Sequence, residues 1–154
     1  MVKVTVDKSV WNKLKKGFVA AQKQDVKVGW INSSYGSDND NLHHAQVAQW
    51  INEGVASQNI PPRDFMRVGL PDAFATGKSE EAFKQLVISV ANGKQTLTPL
   101  KVVGASVANT LEGVMEGWTT PMNAPLTIEL KGFNDPLVET HELIDNITYM
   151  VGVD

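Results

Sequence analysis

The chain has 154 residues, 42% of them hydrophobic and 20% charged, with 12 Gly, 7 Pro and no Cys. That length and balance suit one globular domain over 1–154, and the missing cysteines exclude disulfides, thiolate zinc sites and cysteine nucleophiles together, as in a reducing compartment. The formal net charge is only −3, yet residues 1–30 carry seven Lys against Asp7 and Asp25, while the remainder carries seven basic and fifteen acidic side chains.

One end is therefore basic and the rest acidic. Such asymmetry fits a nucleic-acid surface or complementary faces on neighbouring copies, and its plainer reading is a row of solvated lysines on one helix. No RNA-binding aromatic signature is present and no basic stripe continues past the first helix, so direct recognition of nucleic acid is not expected. The opening MVKVTVDKSVWNKLKK lacks the apolar run of a signal peptide. No stretch approaches the roughly 20 apolar residues of a membrane helix. Neither export nor membrane spanning is expected.

In chain order, Val2, Val4 and Val6 alternate as a short strand. Asp7 or Ser9 then caps a basic amphipathic helix whose Trp11, Leu14, Phe18 and Ala21 recur at helical spacing, a stripe expected to face the core rather than a membrane. Val26, Val28 and Trp30 place a strand at 26–31. The polar run Asn32 to Asn41 reads as an exposed loop. Ala45, Ala48, Ile51 and Val55 predict a helix over 42–53 ending near Gly54. In the run Asn59 to Phe65, Ile60 and Pro61 each precede a proline and are pushed to extended angles, so this is a stiff, presented segment.

Ser79 opens a helix over about 79–92, with Phe83, Leu86, Val87, Val90 and Ala91 on one face and a stop at Asn92 and Gly93. Thr98 and Pro99 start a second long helix, about 99–118, striped by Leu100, Val103, Val107, Leu111, Val114, Met115 and Trp118. Gly104, Gly113 and Gly117 weaken it and suggest a neighbouring backbone close by. Residues 124–131 fit either strand or helix: Leu126, Ile128 and Leu130 alternate, yet Asn123 and Pro125 resemble a helix start. Thr140 caps a short helical turn, and Ile147, Tyr149, Val151 and Val153 form a closing strand. The expected fold is α/β or α+β, one domain in which a small mixed or antiparallel sheet, pairing 26–31 with the last strand, is packed by several helices.

Catalytic motifs are missing. His43 and His44 are neighbours on a helix and point about 100° apart, HExxH is absent, and surface or interface roles are expected for the histidines. Asp38 to Asn41 lack the glycine and glutamate of a calcium loop. No glycine array cradles a phosphate and no GxSxG occurs. Glu80 with Glu81 and Glu139 with Glu142 read as dipole complements and solvated charges rather than acid/base pairs. A small hydrolase or metal-dependent enzyme built on these residues is the rival class. No cofactor, metal or catalytic residue is assigned.

Two stretches carry a resemblance. HHAQVAQWINEGV followed by NIPPRDFMRVGL resembles the segment of tailed-bacteriophage tail-completion and virion-morphogenesis proteins in which a helix ending Asn-Glu-aromatic-Gly leads into Ile-Pro-Ala-Arg-Pro-Phe. Here Trp50, Asn52, Glu53 and Gly54 stand at the helix end, and Ile60, Pro61, Arg63 and Phe65 match the proline-rich run, from which Pro62 and Asp64 depart. Trp118 to Val151 is similar to the close of the same family, with Pro121, Asn123, Pro125, Thr127, Ile128, Lys131, Gly132, Pro136, Leu137, Val138, Thr140, Leu143, Ile147, Tyr149 and Val151 matching; Glu139 replaces an aspartate and His141 a glycine. The likeness covers about residues 26–70 and 118–151.

It implies a non-enzymatic structural protein at the head–tail junction, or neck, which completes the tail and joins it to the capsid connector. The alternative is a tail-tube terminator that caps the tube as a ring. Implied partners are connector, terminator and tail-tube proteins and further copies in a homo-oligomeric ring, without a membrane. The implied location is the virion, and the host cytoplasm during assembly. The basic first helix would either line a passage for DNA or face an acidic neighbour. The interface candidates are Trp50, Glu53, Ile60, Pro61, Arg63, Phe65 and Arg67: a proline-stiffened segment docks at low entropic cost, Trp50 and Phe65 are anchor types, and Arg63 and Arg67 can fork onto carboxylates. Against this stands the reading that Ile60, Pro61 and Phe65 pin the loop to the chain's own core.

Overall fold

A computed structural model describes residues 8–36, 41–94, 96–138 and 141–153, with the side chain of Val153 excepted. The described elements are α1 (Ser9–Ala21), β1 (Gln24–Gly29), α2 (His44–Glu53), α3 (Phe65–Ala75), α4 (Gly77–Ala91), α5 (Thr98–Glu116), α6 (Pro125–Lys131), α7 (Glu142–Asp145) and β2 (Thr148–Val153). This is the expected α+β architecture. The strand expected at Val2 to Val6, the calcium-loop candidates Asp38 to Asp40, and Thr140 lie outside the described residues.

Helix α5 is the axis of the fold. Leu100, Val103, Val107, Leu111 and Met115 recur every three or four residues and are all buried, so one face of the helix is a continuous apolar stripe. Helices α3 and α4 pack on that stripe, and β1 and β2 cover it from another side. The strands run antiparallel from Gln24 opposite Val153 to Gly29 opposite Thr148, which joins the two ends of the chain in one sheet as expected. Of Gly104 and Gly113 within α5 and Gly117 at its C-cap, only Gly104 has neighbours from other elements, and these are side chains: a Cβ there would stand 2.6 Å from Tyr149 Cδ2 and 2.9 Å from Val26 Cγ2.

Two expected core faces point elsewhere. On α1 the buried residue is Gly17, while Trp11 and Phe18 are each 59% exposed. A Cβ at Gly17 would fall 1.9 Å from the Val90 carbonyl oxygen, so only a side chain of hydrogen lets the two helices meet. On α4 the buried positions are Ser79, Ala82 and Val90, with Phe83 and Val87 exposed. In both helices a small residue makes the contact, which turns the bulky side chains outward.

Helix ends also differ from expectation. α1 follows Lys8 without a side-chain cap, α5 follows Leu97 rather than Thr98, and α4 is capped by Thr76, whose Oγ1 accepts from Ser79 N–H at 3.3 Å. The strand expected at 26–31 sits at Gln24–Gly29, and Trp30 leaves the sheet to donate from its indole to the Leu143 carbonyl at 2.6 Å. Residues 124–131 resolve as α6, with Pro125 in its first turn and Gly132 at φ 79° closing it. His141 takes the left-handed conformation, φ 59°, that glycine would hold at lower cost. The loop after β1 is pinched at its base, where Tyr35 N–H donates to Leu42 O at 2.9 Å and His44 N–H to Ser33 O at 3.2 Å.

Candidate interaction surface

Helix α2 ends at Gly54, φ 76°, where a Cβ would fall 2.7 Å from Pro62 N. The chain can therefore fold straight back on itself only with glycine there. Val55 and Ile60 exchange backbone hydrogen bonds of 2.9 and 3.1 Å around a short 3₁₀ turn, Ala56–Gln58. Arg63 N–H then donates to Ile51 O at 2.9 Å, and Met66 N–H to Asn52 Oδ1 at 3.2 Å, so the proline segment is strapped along α2.

Helix α3 follows at once, unannounced by the sequence pattern, and carries Phe65, Gly69 and Ala73 into the core despite Pro71. Phe65 is fully buried and meets Trp30 edge-to-face with ring centres 6.0 Å apart. Arg63 is 6% exposed. Its guanidinium donates through Nε to Pro121 O at 3.2 Å and through Nη2 to Met122 O at 3.4 Å and Asn123 Oδ1 at 3.3 Å. Burial pushes the Arg63 pKa down from the ordinary arginine value. Both residues are thus internal supports and are withdrawn as interface candidates. The core-pinning role holds for Phe65.

The other candidates do reach the surface. Trp50 is 39% exposed and Glu53 is exposed beside it, accepting from Gln49 Nε2 at 3.2 Å. Ile60 and Pro61 are half-buried and line, with Glu53 and Pro62, a depression of about 450 Å³. Arg67 lies on the outside of α3, where its Nε donates to Asp64 Oδ2 at 2.6 Å. The Asp64 side chain also caps the helix by accepting from Arg67 N–H, and the Arg67 guanidinium holds its carboxyl below the usual aspartate range.

The Arg63 acceptors belong to a second strapped segment. Asn123 N–H donates to Asn134 Oδ1 at 3.1 Å and Asn123 Nδ2 to Asp135 O at 3.3 Å. Lys131 Nζ donates to Asp135 O at 3.0 Å and to Val138 O. The proline run and the Pro-Met-Asn run, remote in sequence, therefore form one hydrogen-bonded unit.

His44, expected at a surface, is 1% exposed beneath the Tyr35 ring. Its Nε2 stands 3.3 Å from Glu142 Oε1, close enough for an ion pair but without hydrogen-bond alignment. Among the described residues no group of three or more His, Asp or Glu could hold a metal, and no helix is long and apolar enough to cross a membrane.

The pattern missed by sequence reasoning is how much apolar surface stays uncovered. Among the described residues seventeen large apolar side chains are exposed, including Trp11 and Phe18 on α1, Phe74 and Phe83 in mutual contact across α3 and α4, and Leu126 and Leu130 on α6. Isolated exposed apolar residues are ordinary; runs of them along successive helices mark binding surfaces. No protein-family model, no curated protein and no solved structure matches the chain.

Proposed function

We propose that this chain is a structural virion protein of a tailed bacteriophage, placed at the head–tail junction, where it completes the tail and joins it to the capsid connector without catalysing a reaction. The observation that carries the reading is the Arg63 fork. The two stretches on which the resemblance rests are held to each other by three hydrogen bonds from one buried side chain. Apolar faces along α1, α3, α4 and α6 suit a subunit that is finished by its neighbours.

Deletion of the coding gene tests this. Heads and normal-length tails that accumulate unjoined are the expected phenotype. Overlong tails would assign the chain instead to the terminator ring, and infectious particles of normal form would overturn both roles.

A further inference from the structure

The basic and the acidic parts of the chain bring different helices to the surface. Helix α1 packs on the end of α4, where Gly17 meets Val90 and Gly93 approaches Lys13, close to the start of α5. The α6 region follows the other end of α5 and is fastened there by Arg63. Trp11 and Phe18 are each 59% exposed, and Leu126 and Leu130 are 66% and 79% exposed, so neither face is covered within one chain.

Each surface combines apolar side chains with one sign of charge. On α1, Trp11, Lys15, Phe18 and Val19 are spaced i, i+4, i+7 and i+8 and share an outward face, with Lys15 Nζ 5.9 Å from the Trp11 ring centre. Residues 8–23 hold five Lys and no acid. On α6, Leu126, Glu129 and Leu130 are spaced i, i+3 and i+4, and the two leucines are 66% and 79% exposed. Residues 112–145 hold seven acids against Lys131 alone, and the Lys131 ammonium is turned onto its own chain's carbonyls.

We propose that α1 of one copy docks on α6 of the next, with Trp11 and Phe18 covering Leu126 and Leu130 while Lys15 faces Glu129. The proposal rests on the reading of the chain as an assembly subunit and names the contact that builds the assembly. Apolar anchors form most of the contact, and the Lys15–Glu129 pair sets its register. The interface is heterologous: each copy keeps one surface of each kind open, so repetition closes a ring or runs on as a filament. DNA or an anionic lipid surface would cover α1 and leave Leu126 and Leu130 in water; a second copy covers both.

Sedimentation velocity over a concentration series reads the contact. Lys15→Glu puts an acid on both faces, and Glu129→Lys puts a base on both. Both side chains are exposed, and circular dichroism verifies that both variants stay helical. The unaltered chain is expected to associate, each variant alone to associate at least about tenfold more weakly, and their equimolar mixture to recover, because reversed charges then face each other. A monomeric unaltered chain, association indifferent to both variants, or a mixture that stays dissociated would overturn the docking, as would a monomer that pellets with anionic vesicles or shifts duplex DNA. Association through another surface ends this proposal and leaves the virion role standing; particles lacking the chain end the virion role and leave the docking standing.

Discussion

Arg63 Nη2 donates to Asn123 Oδ1 at 3.3 Å across 60 positions of sequence, and through this side chain the start of α3 is tied to the segment before α6. Arg63→Ala leaves three acceptors without their donor, so urea unfolding is expected to show a loss of about 2–4 kcal/mol at unchanged m-value. Arg63→Lys recovers only part of it, because an ammonium lacks the planar fork. An Arg63→Ala variant as stable as the parent would refute the internal role.

Helix contacts through glycine give opposite outcomes at three positions. Gly17→Ala places a methyl against the Val90 carbonyl and Gly104→Ala places one against the Tyr149 ring; each is expected to cost about 1–3 kcal/mol. Gly113 has nothing within 4 Å, so Gly113→Ala should stabilise the isolated chain by about 0.5–1 kcal/mol through helix propensity. Thermal unfolding of the three variants checks the ordering.

Within the proline segment, support and surface separate cleanly. Phe65→Ala empties a fully buried site beside Trp30 and is expected to cost about 3–5 kcal/mol. Arg67→Ala removes an exposed, solvent-screened pair with Asp64 and is expected to cost far less than Phe65→Ala. Chemical denaturation of both distinguishes them.

The depressed Asp64 carboxyl has a defined pH signature. Its folded pKa lies below its unfolded value, so its contribution is full above the ordinary aspartate range and is lost as pH falls through the folded value. Glu80, held low by the Lys84 ammonium, follows the same sign. Lys84 is raised by Glu80, so its contribution is lost only as pH rises through its folded value. Carbon-detected NMR titration should find both carboxyls below their usual midpoints, and Arg67→Ala should return Asp64 toward its own while leaving Glu80 unchanged.

The α5 stripe could be read from the residues because five large apolar side chains share one helical face at spacings of three and four. The terminal strands could be paired because alternation is strict at both ends. Helices α1 and α4 were misoriented for a physical reason: periodicity finds bulky apolar residues, whereas Gly17, Ser79 and Ala82 let helices approach closely and leave Trp11, Phe18, Phe83 and Val87 outside. The seven residues of α6 were too few for alternation to decide, and the first-turn Pro125 with left-handed Gly132 outweighed it. Arg63 reads as a surface residue because nothing local announces acceptors that lie in another segment. The α1 and α6 faces became visible only when exposure and charge were read together.

Quantitative mass spectrometry and electron cryomicroscopy of purified particles, produced from the genome that encodes the chain, test its role most directly. The reading expects the chain at a fixed copy number, in a ring at the neck between connector and tail tube. Mature particles without it would contradict that role outright.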